Sequence, residues 1–407
     1  MRPEGSPLDK KTTTVLSKPH TPNHLPTGAN LLYHLDGSFM NGNAASVRAI
    51  AFFLPQFHPI PENDAWWGKG FTEWTNVAKA KPSFKGHYQP QLPADLGFYD
   101  LRVPEVREAQ ATLAREHGIH GFCYYHYWFS GRRLLERPVN DLLASGKPDF
   151  PFCLCWANEP WSRRWDGSEK EILMPQDYSE EDDRQHLRWL AGAFRDSRYI
   201  RVHGKPLFLV YRASGLPDAR GTAEAWRDEA RKQGLGDLYL CNVENFKNDH
   251  GITQSIGFDA AVEFAPDMLL SRRLGRTRLS RYARRLGLAN EAYFHNHVSN
   301  YSELIEKMLA KPAPDYLRFP GVTPGFDNTA RHSKKAMILI GSTPALYGSW
   351  LRETVKRLER SIPEERIVFL NAWNEWAEGN HLEPCQKWGR RYLEETACAL
   401  AGQDRKQ

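Results

Sequence analysis

Residues 366–384 read RIVFLNAWNEWAEGNHLEP. Residues 366–370 are short, apolar and β-branched, the pattern of a strand buried on both faces. The run stops in a cluster of Asn371, Trp373, Asn374, Glu375, Trp376, Glu378, His381 and Glu383. A buried strand that delivers carboxylates, amides and indoles at its C-terminal end reads as a βα loop of an α/β barrel, where such folds carry their chemistry. Glu375 and Glu378 stand three residues apart, so one turn brings both to one cavity. Solvated charges at a helix start are the plainer alternative for them.

The same cadence runs upstream. Apolar runs at 51–54, 119–125, 152–156, 206–210, 238–243, 260–264 and 319–323 each end in polar or aromatic residues. Helical patterns at 104–117, 136–144, 180–194, 223–233, 301–309, 345–360 and 390–400 lie between or after them. A further apolar run at 337–340 belongs to the seventh connection. Alternation of this kind predicts parallel strands with helices outside. The expected fold is an α/β, (β/α)8 TIM-like barrel with long βα loops, its sixth helix displaced by an arginine-rich insertion at 267–297. A doubly wound open sheet is the alternative, but no GxGxxG or GxxxxGK[ST] follows the first strand. The loop at 60–99, with Trp66, Trp67, Glu73 and Trp74, lacks clear periodicity and reads as a wall over the cavity or an anchored connection.

The totals set bounds. The chain has 407 residues, 41% hydrophobic and 25% charged, a globular composition. A net charge of +5 gives no argument for nucleic acid. Cys123, Cys153, Cys155 and Cys241 sit in apolar runs as small buried hydrophobes, and no Cys/His cluster completes a zinc site. No metal and no cofactor is implied. Residues 1–46 are polar and aperiodic and read as a flexible leader without the apolar core of a signal peptide, so a cytoplasmic location is expected. The catalytic domain is expected over 47–402.

Six stretches carry a resemblance: AFFLPQFHPIPENDAWWGKGFTEWTNV, HYQPQLPADLGFYDLR, GFCYYHYWFSGRRLLERPV, PFCLCWANEPW, GFDNTAR and FLNAWNEWAEG. From about residue 48 to 396 the chain resembles the WbsX-like proteins of bacterial surface-polysaccharide and lipopolysaccharide loci, commonly labelled glycosyltransferases. These are similar in turn to glycoside hydrolase family 99, the endo-α-mannosidases. The resemblance implies a barrel and a retaining mechanism in which one Glu takes the sugar 2-OH proton, so that O2 attacks C1. It implies Glu375 as that base and Glu378 as the general acid/base, with Asn374 beside them. Glu159 is the nearest match to an earlier carboxylate that holds the adjacent sugar.

From the residues themselves, two carboxylates flanking a bond are the equipment of glycoside cleavage. Burial among Trp373 and Trp376 is expected to raise the Glu378 pKa, and His381 is a possible substitute acid. Further substrate contacts are expected from Asn158 and Glu159, from His126, Tyr127 and Trp128, from Tyr211, from Asp327 and Asn328, and from His58 and Trp67. For most of these, loop packing or turn formation is the competing role. Asp182-Asp183 lies on the polar face of a helix and is a poor metal motif for a nucleotide-sugar transferase. Seven arginines between Arg272 and Arg285, with no acid among them, read as a solvated insertion or as a contact to anionic membrane lipid or a lipid-linked glycan at the inner membrane. The expected function is a retaining glycoside hydrolase or transglycosylase acting on an oligosaccharide or polysaccharide. The alternatives are a glycosyltransferase using an activated sugar donor and a non-catalytic glycan-binding barrel.

Overall fold

The computed structural model describes residues 47–403 apart from 164–167, 276–281, 283–285, 287–289 and 333. The leader at 1–46 and most of the arginine run lie outside the described residues.

Nine parallel segments follow one another around a ring, and two of them flank Pro320, so the barrel has eight strands. They are β1 (Arg48–Phe53), β2 (Gly121–Phe129), β3 (Phe152–Trp156), β4 (Lys205–Val210), β5 (Tyr239–Glu244), β6 (Ala260–Glu263), β7 (Arg318–Phe319 and Gly321–Val322) and β8 (Ile367–Leu370). The ring closes through the broken seventh strand. Its first half pairs with β6, as Val262 with Phe319, and its second half pairs with β8, as Val322 with Leu370. Proline suits the hand-over because it has no N–H to leave unpaired, while its carbonyl accepts the Phe369 N–H at 2.9 Å. Gly321 suits it because a Cβ there would stand 2.1 Å from the Glu263 carbonyl oxygen. The ring then closes where β8 pairs with β1.

Helices α1 (Pro104–Glu116), α2 (Arg137–Ser145), α3 (Glu180–Phe194), α4 (Ala219–Lys232), α5 (Tyr301–Ala310), α6 (Pro344–Leu358) and α7 (Arg391–Leu400) follow strands as the periodicity predicts. Among the described residues the β5–β6 connection holds only a short 3₁₀ turn at Lys247–Asp249. The physical reason is on β5, where Asn242 needs polar cover. Its amide donates to the Asp249 carbonyl at 2.9 Å and accepts the Thr253 hydroxyl at 2.8 Å. An irregular segment supplies those groups, whereas the apolar stripe of a helix would not.

Inside the barrel Phe52 meets the rings of Tyr125 and Phe369 on the two adjoining strands and that of Phe264 from across the ring. All four strand cysteines are buried and free. The loops carry the elaboration. Short helices Pro61–Trp67 and Glu73–Lys79 fold the 60–99 loop, and a hairpin of Trp161–Arg163 with Ser168–Met174 follows β3. The run at 337–340 is a strand, Met337–Ile340, paired in parallel with His297–Asn300 from the insertion after β6. No helix among the described residues is long and apolar enough to cross a membrane.

Gly321→Ala is expected to lower stability by about 1–3 kcal/mol, because the added methyl must displace the β6 backbone. Urea unfolding followed by circular dichroism reads this, and an unchanged midpoint would contradict the account of ring closure.

Candidate active site

The C-terminal mouth of the barrel opens into a cavity of about 600 Å³. Every strand end contributes to its wall, including Leu54, Tyr127, Glu159, Tyr211, Asn245, Phe264, Arg331 and Glu375. Such a volume is that of a small-ligand site.

After β8 the chain makes a tight hairpin, with Asn374–Glu375 pairing antiparallel to Asn380–His381 around a 3₁₀ turn at Trp376–Glu378. A 3₁₀ turn eclipses residues three apart, so Glu375 and Glu378 come to the same side. Gly379 closes the turn at φ +55° and sends the chain back. Asn380 pins the hairpin to the barrel, its side-chain oxygen accepting from the Ala372 N–H and the Thr323 hydroxyl, both at 2.9 Å.

Arg331 meets the two carboxylates. It follows β7 and the 3₁₀ turn Asn328–Ala330, which Asp327 caps by accepting the Thr329 N–H at 3.1 Å. Its Nη2 donates to Glu375 Oε2 at 2.9 Å and its Nη1 donates to Glu378 Oε1. Its Nε donates to Glu73 Oε1 at 2.8 Å. One guanidinium thus serves three carboxylates from two other loops, with Arg331 itself nearly buried.

Burial is the largest influence on the pair. It pushes Glu375 up to about 8 and Glu378 upward, against the pull of Arg331, and the charge of Glu73 adds to the rise. Groups this close titrate as a unit, so the rise belongs to the pair. Burial opposes the charge on Arg331, but three carboxylates outweigh it and hold the guanidinium protonated.

The structure sorts the remaining expected residues. Tyr127, Glu159, Tyr211, Asn328 and Trp67 line the cavity. Glu159 also accepts from Arg212 Nη1 at 2.9 Å, and Asn245 donates to the Tyr211 hydroxyl at 2.5 Å. Asn374, Trp373, Trp376, Asn158, His126, Trp128, Asp327 and His58 do not line it.

Each of these placements has a physical cause. Asn374 clamps the end of β1, accepting the Leu54 N–H at 2.7 Å and donating to the Leu54 carbonyl at 3.0 Å. Asn158 does the same for Arg212 after β4, at 2.8 and 2.9 Å. Trp373 is buried against Phe122, and Trp376 stacks on His381 with ring centroids 3.7 Å apart. Trp376 also donates to Glu383, which the Tyr99 hydroxyl and the Gln110 amide reach as well. Burial pushes Glu383 up to about 7 and holds His381 neutral, its pKa lowered to about 4.

On β2 successive side chains alternate sides. Tyr125 and Tyr127 face the cavity, while His126 stacks on Trp189 and Trp128 donates to Asp182, both on α3. Asp182 and Asp183 are therefore buried rather than on a polar face. Asp327 is consumed by His87 and Gln89, at 2.6 and 2.8 Å. His58 lies buried, with burial lowering its pKa to about 4.

Sequence reasoning missed Arg331 as the hub, Glu73 as its third partner, and the cavity-facing Tyr125, Trp161 and Asn245. The period-two alternation of a strand was the available signal for Tyr125.

Glu375→Gln tests the electrostatics. A carboxyl raised from about 4.5 to about 8 stabilises the fold fully below the lower value and loses that contribution as pH rises through the upper one. The variant is always neutral, so its stability relative to wild type is expected to climb from pH 5 to pH 9, read by urea unfolding at each pH. A difference that falls with pH would contradict the burial of this acid.

The family profile described as glycosyltransferase WbsX matches residues 49–396. Two curated relatives from strains of Xanthomonas campestris pv. campestris, described as uncharacterized protein WxcX, are 48% identical over 352 residues. That alignment covers 86% of this chain and 49% of theirs, so the chain spans about half the length of the curated relatives it matches. Among solved structures, a glycoside hydrolase-like protein is similar with a TM-score of 0.56 at 15% identity, over 87% of this chain and 94% of that one. The family GH99 endo-alpha-mannosidase of Bacteroides thetaiotaomicron is similar with a TM-score of 0.51 at 15% identity, over 87% and 96%. These likenesses show the fold.

Proposed function

Because the chain belongs to the glycosyltransferase WbsX family, and so to the carbohydrate-active enzymes, we propose that it acts on glycosidic bonds through Glu375 and Glu378. The observation that supports this most is the pair itself, two carboxyls sharing one guanidinium on the wall of a saccharide-sized cavity. Aromatic rings of Trp67, Tyr125, Tyr127, Trp161 and Tyr211 offer stacking faces along the same wall.

The proposed reaction is retaining, with an α-mannoside-like sugar whose 2-OH stands trans to the leaving group. Glu375 takes the 2-OH proton, O2 attacks C1, and the C1–O bond breaks as Glu378 protonates the departing oxygen. Water or a second sugar's hydroxyl then opens the anhydro-sugar at C1, giving its proton to Glu378 while Glu375 returns a proton to O2. Attack by water is hydrolysis, and attack by a sugar hydroxyl is transfer, the outcome that the family's description names. The proposed roles need the pair's one proton on Glu378, so binding of the sugar must draw it from Glu375, the member that burial raises the further. Glu159, in the same wall, is proposed to hold the adjacent sugar. A place in surface-polysaccharide metabolism, with the arginines from Arg272 to Arg285 meeting an anionic lipid or lipid-linked glycan, belongs to the same proposal.

On unactivated α-mannosides, Glu375→Gln and Glu378→Gln are each expected to lose about 10²–10⁴-fold in kcat/KM. On α-mannosyl fluoride, whose leaving group needs no proton, Glu378→Gln is expected to recover and Glu375→Gln is not. Turnover of nucleotide sugars that neither substitution alters would overturn this reading and favour a transferase working at another site.

A further inference from the structure

Three carboxylates meet Arg331, yet only Glu375 and Glu378 line the cavity. Glu73 stands behind the guanidinium, fully buried, with Oε1 accepting from Arg331 Nε at 2.8 Å. Its Oε2 is buried with no hydrogen-bond partner among the described residues. A buried carboxylate oxygen without a donor is costly, so anchoring the loop does not account for it. Trp74 already performs that task, packing on Trp376 with centroids 5.5 Å apart and donating its indole N–H to the Tyr99 carbonyl at 2.8 Å.

We propose that Glu73 is a positioning residue for the Glu375–Glu378 pair, holding Arg331 by Nε so that both terminal nitrogens face the pair. Its charge, unanswered at Oε2, also keeps a proton on the pair. The effect on turnover rests on the reaction proposed above, whereas the electrostatic effect stands without it. Three ionised carboxylates around one guanidinium would leave two negative charges in a buried cluster, so the cluster retains a proton, and removing one carboxylate lowers the demand for it. The other titratable groups lining the cavity with the pair are Arg331 and His332 after β7, Glu159 after β3, Tyr125 and Tyr127 of β2, Tyr211 after β4 and Lys247 after β5. Burial pushes the three phenols upward, so they stay neutral across the working range.

Glu73→Gln keeps an oxygen for Arg331 Nε and removes the charge. The experiment follows the carboxyls by ¹³C NMR of protein labelled at the glutamate side chain, with Glu375→Gln and Glu378→Gln to assign the pair. Its upper midpoint is expected to fall by about one pH unit or more in Glu73→Gln and to return part of the way in Glu73→Asp. The alkaline limb of the kcat profile should move the same way, with KM unchanged. A pair that titrates as in wild type while the variant loses stability would reduce Glu73 to a loop anchor and overturn the inference. A shifted midpoint in a protein that turns over no glycoside would uphold the inference and remove the catalytic reading instead.

Discussion

One guanidinium among three carboxylates is the constraint on which the candidate site depends. Arg331 reaches Glu73, Glu375 and Glu378 at once, and none of the three is adjacent to it in the chain. A buried arrangement of this kind is stable only when geometry satisfies the cation and a proton relieves the surplus negative charge. The geometry follows from the barrel. Its closed ring brings the loops after β1, β7 and β8 to one point, and the long loop after β1 folds back far enough to deliver Glu73.

The rim of the barrel is held rigid by amides and one further acid. Asn374 and Asn158 each give one donor and one acceptor to a backbone that has left its strand, restoring the hydrogen bonds that the ladder no longer supplies. Glu383 gathers Tyr99, Gln110 and Trp376 and so ties the β8 hairpin to α1 and the loop before it. None of these groups lines the cavity itself, but the placement of Glu375 and Glu378 depends on them. The site therefore has a wet side of tyrosines, indoles and acids and a dry side of amides and stacked rings.

The barrel was legible in the sequence because its strands are buried on both faces and read as apolar runs with decorated ends. The acidic pair was legible because both members fall in one short turn. Arg331 and Glu73 were not, because 258 positions separate them and only the closed ring makes them neighbours. The asparagines misled for a different reason. A polar side chain at a strand end serves backbone geometry as well as substrate, and sequence does not distinguish the two uses. His126 and Trp128 misled because density of aromatic residues is not orientation; their odd–even position relative to Tyr125 and Tyr127 turns them toward α3. No helical pattern lies between 243 and 260 in the sequence, and the polar Asn242, which needs irregular cover, gives the reason.

The most direct test of the account is a crystal structure of Glu378→Gln with an intact α-mannoside bound. The account predicts the sugar's 2-hydroxyl at about 3 Å from a Glu375 oxygen and the glycosidic oxygen at a similar distance from the side chain at position 378. A sugar seated in the cavity with its C1–O2 edge turned away from both positions would contradict it.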